Sequence, residues 1–274
     1  MSRLETIDLK IGYDERIIVN NLNISIPNGK ITALVGSNGS GKSTILKVMA
    51  RLMRPTAGCV MLDGEMIHKK STREVAKELA ILPQNSKAPD GLTVYELISY
   101  GRFPHQKGMG ALSREDKEIV HWAIHVTGME EFINRGVDQL SGGQRQRAWI
   151  AMALAQQTEI LFLDEPTTFL DMAHQLEVLT LLKKLNEEEG RTIVMVVHDL
   201  NHATKFAHHM ITIKAGTVVS EGTPREVVTP NVLRDAFNIE ADVIDDPRTG
   251  EPLCLPYGLA YGQTEVERTI KQAQ

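Results

Sequence analysis

Apolar residues in this chain recur with two different periods, and the switches between them mark out its architecture. Over residues 4 to 26 apolar and polar positions alternate, with Leu4, Ile7 and Leu9, then Leu22, Ile24 and Ile26, and the turn-formers Gly12, Asn20 and Asn21 between them. That pattern predicts an antiparallel sheet at the start. Pro27-Asn28-Gly29 turns the chain into the apolar run Ile31 to Val35, which reads as a buried strand, and Ile45 to Ala50 is helix-like. Pro55 to Gly58 leads into the strand Cys59 to Leu62 and the tight turn Asp63-Gly64, where another hairpin is expected.

From Ala88 to Gln139 the pattern becomes helical, with one helix over Thr93 to Gly101 and another over Ser113 to Gly128. In the second, Ser113 and Asp116 form a capping-box signal, and Ile119, Ala123 and Val126 stack at helical spacing. This stretch reads as a helical insert between two halves of an α/β core. The core resumes with a strand over 160 to 163, a helix from Ala173 to Glu189 closed by Gly190, a strand from Thr192 to Val197, a helix from Leu200 to His208 and a strand from Met210 to Lys214. Such βαβ alternation predicts a largely parallel sheet with ligands at the strand carboxyl ends. Beyond Gly222, Pro224 to Phe237 reads as helical and Asp242 to Leu255 as a hairpin, with a polar tail or short helix from Gln263 to Gln274.

Composition narrows the class. A chain of 274 residues, 42% hydrophobic and 24% charged, is that of a soluble globular protein, and its longest apolar runs are strand-sized. Met1 to Glu5 alternate into a strand without the apolar core of a secretory signal, so a cytoplasmic protein is expected. The net charge of -5 argues against a broad nucleic-acid footprint. Cys59 and Cys254 lie far apart without zinc spacing and read as ordinary strand residues.

The chemistry is concentrated at strand ends. Gly36, Ser37, Asn38, Gly39, Ser40, Gly41, Lys42, Ser43 and Thr44 form a phosphate-binding loop between a strand and a helix. Its glycines let backbone N–H groups converge on a polyphosphate at a helix N-terminus, Lys42 supplies a point charge, and the Ser43 hydroxyl is placed to ligate Mg²⁺. Asp164, closing the apolar strand 160 to 163, suits Mg²⁺ and its water shell, while the adjacent Glu165 projects differently and can take a proton from an attacking water.

Leu140-Ser141-Gly142-Gly143-Gln144 stands before the strongly helical Arg145 to Gln156. Together with the phosphate loop, Asp164-Glu165, Gln84 after the strand Leu79 to Leu82, and His198 after the strand Thr192 to Val197, it gives the chain, over nearly its whole length, a resemblance to the ATP-binding-cassette (ABC) ATPases. The resemblance implies an α/β fold: a P-loop ABC ATPase core with a mostly parallel sheet, an N-terminal antiparallel β subdomain and a helical insert subdomain. It places the ATP-binding domain at 1–222, with the insert at about 88–157, and a C-terminal extension at 223–274. It further implies that Gln84 links Mg²⁺ and the attacking water to the insert, that His198 contacts the γ-phosphate, and that Tyr13 lies against adenine. Ser141, Gly142, Gly143 and Gln144 would bind ATP held by an opposing subunit, a second copy of the chain or a close paralogue, with Asp171 touching across the interface.

Three further stretches, Gly101 to Gln106, Ala80 to Gln84 and Thr167 to Asp171 with His174-Gln175, look like the ATPase subunits of bacterial iron-siderophore importers, whose relatives move haem and cobalamin. On that resemblance ATP turnover powers ferric siderophore uptake, with polytopic permease subunits, indirectly a siderophore-binding lipoprotein, and peripheral placement on the cytoplasmic face of the membrane. A soluble ABC ATPase acting on DNA, ribosomes or iron-sulfur assembly, and an exporter subunit, are the competing classes. The chain has neither the tandem cassettes of the translation factors nor the zinc modules and long coiled coils of the repair members.

Overall fold

The alternation at the start folds as strands β1 (Ser2–Tyr13), β2 (Arg16–Leu22) and β3 (Ser25–Pro27), in a computed structural model that describes residues 2–13, 16–84, 88–106 and 111–260. The tail expected over 263–274 lies outside the described residues. β4 (Ile31–Val35) leaves this layer, delivers the chain to α1 (Lys42–Met49), and β5 (Ala57–Leu62) and β6 (Glu65–Met66) return to it. The antiparallel order is β2-β1-β5-β6, with β3 paired to β1.

After α2 (Thr72–Glu78) and β7 (Leu79–Leu82), the insert supplies α3 (Val94–Ser99), α4 (Arg114–Val126) and α5 (Gly142–Ala155). The core resumes through β8 (Ile160–Asp164), α6 (Met172–Glu189), β9 (Thr192–Val196), α7 (Leu200–Phe206), β10 (His209–Lys214) and β11 (Thr217–Gly222). The main sheet runs β11-β10-β4-β9-β8-β7 and is parallel except for β11. Helices α8 (Pro224–Val227) and α9 (Pro230–Phe237) precede a separate hairpin of β12 (Ile239–Asp245) and β13 (Pro252–Leu259).

Alternate side chains of the parallel strands feed two cores. Ile31, Ala33 and Val35 of β4, Leu161 and Leu163 of β8, and Ile193 and Met195 of β9 face one apolar layer, shared with the insert helices and α6. Leu34, Ile160, Phe162, Val194 and Val196 face the other, shared with α1 and the antiparallel sheet. Burial on both faces is why these strands read as continuous apolar runs.

Four expectations change in detail. α2 was not anticipated, although Ser71 and Glu74 form a reciprocal capping box (Glu74 N to Ser71 Oγ 3.2 Å, Ser71 N to Glu74 Oε2 2.6 Å); with only Val75 buried, the helix has no apolar period to read. α7 stops at Phe206 rather than His208, because the His208 N–H donates to Ile31 O (2.8 Å) and its Nδ1 accepts from Ile31 N (3.1 Å), drawing it to β4. The helix expected over 224 to 237 is two, since Pro230 drives Thr229 into an extended conformation (φ -125, ψ 152), where it becomes the N-cap of α9. The terminal hairpin is longer than 242 to 255, pairing from Ile239 opposite Leu259 to Asp245 opposite Pro252. Among the described residues no helix is long and apolar enough to cross a membrane.

Candidate functional site

At the end of β4 the chain bends at Gly36 (φ +146), where a Cβ would lie 2.1 Å from the Ile213 carbonyl oxygen of β10, so only glycine fits. The loop then curls through Gly39 and Gly41, both left-handed, and Gly41 becomes the N-cap of α1. This points the first amides of α1 into the cleft, a favourable place for an anion. Lys42 is 5% exposed, and its ammonium donates to Gly36 O (2.9 Å), Ser37 O (2.9 Å) and Ser40 Oγ (3.4 Å). Burial holds its pKa below the ordinary lysine value, against the opposing pull of the Glu165 and Asp164 carboxylates.

Ser43 Oγ donates to Asp164 Oδ1 at 2.7 Å, joining the loop helix to the end of β8. Asp164 is 2% exposed, and burial pushes its carboxyl above the usual range despite that hydrogen bond and the positive charges of Lys47 and Lys42. Its second oxygen, Oδ2, is buried with no hydrogen-bond partner among the described residues. A buried carboxylate with one free oxygen beside a serine hydroxyl is a donor set suited to a hard divalent cation, so these residues fit Mg²⁺.

Glu165 adopts φ 55, a left-handed conformation unusual for a residue with a side chain, so the chain bends directly after Asp164. Three groups grip it: His198 Nε2 lies 2.6 Å from Oε1, while Gln84 Nε2 and Thr168 Oγ1 (3.0 Å) donate to Oε2. Gln84, Glu165 and His198, from three parallel strands' carboxyl ends, thus meet the phosphate loop in one cleft of about 500 Å³. Ile18 of β2 also lines that cleft; as one apolar position in an alternating strand, it carried no local signal. Thr168 was visible only as part of a longer run, its hydroxyl's task being set by the bend at Glu165. Tyr13 ends β1, opposite Arg16, and its ring lies outside the described residues. A second cavity of about 430 Å³, between α2 and the segment after α1, contains none of the expected site residues.

Ser141, Gly142, Gly143 and Gln144 do not line the cleft at the glycine-rich loop. They open α5 through a capping box in which Ser141 Oγ accepts from Gln144 N (3.3 Å) and Gln144 Oε1 accepts from Ser141 N (3.1 Å). A Cβ on Gly143 would come within 2.6 Å of the His174 ring, so the start of α6 packs directly on it. Asp171 caps α6 through His174 N (3.0 Å) and also meets His174 Nδ1 (2.8 Å); those hydrogen bonds hold its carboxyl below the usual range. Beside it Phe169 is 91% exposed and Met172 79% exposed. The residues from Gly101 to Gln106 likewise lie away from the cleft: Arg102 is buried, paired with Asp116 at 2.7 Å, and donates to Ala155 O at 2.8 Å at the end of α5.

A family profile described as ABC transporter matches residues 19–168. The chain is 60% identical over 266 residues to the iron(3+)-hydroxamate import ATP-binding protein FhuC of Bacillus subtilis (strain 168), covering 97% of this chain and 99% of that one. It is 45% identical over 258 residues to the ferric enterobactin transport ATP-binding protein FepC of Escherichia coli (strain K12), covering 94% and 95% respectively. Among solved structures, a dimeric ATP-binding cassette in a post-hydrolysis state with ADP and phosphate superimposes with a TM-score of 0.71 at 34% identity, covering 80% of this chain and 98% of that one.

Proposed function

This chain belongs to the ABC transporter family of ATPases, and from that premise we propose that it is the ATP-hydrolysing subunit of an importer for ferric siderophore complexes, seated peripherally on the cytoplasmic face of the membrane. The observation that carries the hydrolytic part is the Glu165 carboxylate, held by Gln84 and His198 at the mouth of the phosphate loop. The cargo is supported by full-length similarity to subunits serving iron complexes of unlike chelators.

In this reading ATP lays its triphosphate on the amides of residues 36 to 44 and its adenine against Tyr13. Lys42 exchanges its contacts with loop carbonyls for phosphate oxygens. Ser43, Asp164 and Gln84 would hold Mg²⁺, which when bound neutralises phosphate charge. His198 moves from Glu165 to the γ-phosphate, freeing the carboxylate to orient the attacking water and take its proton. Ser141, Gly142, Gly143 and Gln144 of a second copy or close paralogue present the N-terminus of α5 to that γ-phosphate, with Asp171 at the interface. Closure thereby depends on contacts that hydrolysis removes, and two permease subunits convert the cycle into transport. A siderophore-binding lipoprotein would deliver the cargo on the outer side.

A strain lacking the gene should grow normally on abundant free iron but poorly on its cognate ferric siderophore, and Glu165→Gln protein should not restore uptake. Radioactive iron uptake across hydroxamate and catecholate siderophores reads this out. Normal entry of every chelate, with no paralogous ATPase substituting, rejects iron import; loss of haem or cobalamin uptake instead keeps the importer and changes its cargo.

A further inference from the structure

Helix α7 begins two residues after His198 and contains only seven residues. So short a helix cannot hold itself in place by its own hydrogen bonds. Asp199 caps it by accepting from His202 N at 2.9 Å, Ala203 and Phe206 bury in the apolar core, and a two-point polar contact to the C-terminal hairpin comes from Asn201. Its Oδ1 accepts from the backbone N–H of Cys254 in β13 at 2.8 Å, and its Nδ2 donates to the Cys254 carbonyl at 3.2 Å.

The chemistry of that pairing is specific. β13 is bonded to β12 on one side only, so alternate N–H and C=O groups on its other side need partners. The primary amide of Asn201 offers one acceptor and one donor, and so mimics a neighbouring strand at Cys254. The hairpin is itself tied down: Arg225 bonds Asp245 at 2.9 Å and the Gly250 carbonyl, and Arg234 makes a two-pronged pair with Glu240 (2.9 and 2.8 Å). A continuous chain of contacts therefore runs from α8 and α9 through the hairpin and Asn201 to α7, and from there to His198 and Glu165.

We infer that Asn201 is a positioning residue through which the C-terminal hairpin sets the start of α7 and hence the place of His198. This gives the extension a task in turnover, and it rests on the reading of His198 as a γ-phosphate contact. It does not depend on the cargo.

The test uses the purified full-length chain with MgATP. Asn201→Ala should lower kcat about tenfold, the scale on which small misplacements act, while KM for ATP stays within about twofold. In a double-mutant cycle it should add nothing to His198→Ala, because both remove the same placed imidazole. Amide hydrogen exchange, which needs no turnover, should speed up over residues 199–206 and stay unchanged over 143–155; Asn201→Ser, which keeps one polar atom, replaces Asn201→Ala if that variant does not fold. Losses that add in the cycle, a rise in KM with kcat unchanged, or unaltered exchange in α7 each overturn the inference. Unchanged turnover in His198→Ala, with faster exchange in Asn201→Ala, instead rejects the γ-phosphate role and leaves only the hairpin clamp.

Discussion

Asp164 is under two opposed demands. Its burial makes ionisation unfavourable, whereas its partnership with Ser43 and its free Oδ2 suit it to a cation. Because its folded pKa is raised, the folded chain holds that proton more tightly than the unfolded chain, and the associated stability is full in acid and lost as pH rises through the folded value. Without nucleotide or metal, Asp164→Asn should therefore raise Tm at neutral pH. The gain should close as pH falls below the ordinary aspartate value of about 3.9, and Mg²⁺-dependent turnover should be lost. Thermal melts at several pH values decide it: a lower Tm for the variant at pH 7 means that burial is not the dominant influence on this carboxyl. Residues of this kind were legible in the sequence, because Lys42, Ser43, Asp164 and Glu165 are adjacent to a strand end or a glycine turn. Ile18, Thr168 and Asn201 were not, since each acquires its partner only when distant segments meet.

Elements differ in the same way. α4 and α6 announced themselves through caps at Ser113 and Gly190 and through apolar spacing, while α2 and the break between α8 and α9 depended on local polar or proline chemistry that an apolar period does not register. The loop after α3 shows what a recognisable run of residues can do without touching ligand. Burial pushes the Asp116 carboxyl up, but the Ser113 hydroxyl and Arg102 outweigh it and leave its pKa below the usual range. Arg102→Ala removes the paired charge and the donor to the end of α5, and breaking a buried pair in this way costs about 3–5 kcal/mol, or a fall in Tm of roughly 6–20 °C. With a depressed folded pKa, the stability tied to Asp116 is present at neutral pH and lost as pH falls through that value. Melts of parent and variant should accordingly converge in acid; a gap that is constant with pH would assign the loss to packing alone.

At the scale of the whole molecule, the residues of Ser141 to Gln144 and Asp171 stand apart from the phosphate-side cleft, next to the exposed Phe169 and Met172. The proposed arrangement of two copies, in which each completes the other's site, would account for both facts. Glu165→Gln protein with MgATP should run as a dimer in light scattering, and adding Ser141→Arg should return it to a monomer by crowding the γ-phosphate; a dimer that persists in the double variant would place the contact elsewhere. The parallel sheet and the insert were legible because βαβ alternation and helical spacing are local, but their joint packing was not. Val94, Leu97, Val120, Ala123 and Leu154 of the insert bury in the same apolar layer as Leu161, Leu163, Ile193 and Met195 of the sheet. By packing, the insert is therefore not a transplantable part. An insert exchanged at its two ends would set unfamiliar side chains against strands packed for the old ones, so in any chimaera the helices and the sheet face beneath them have to travel together.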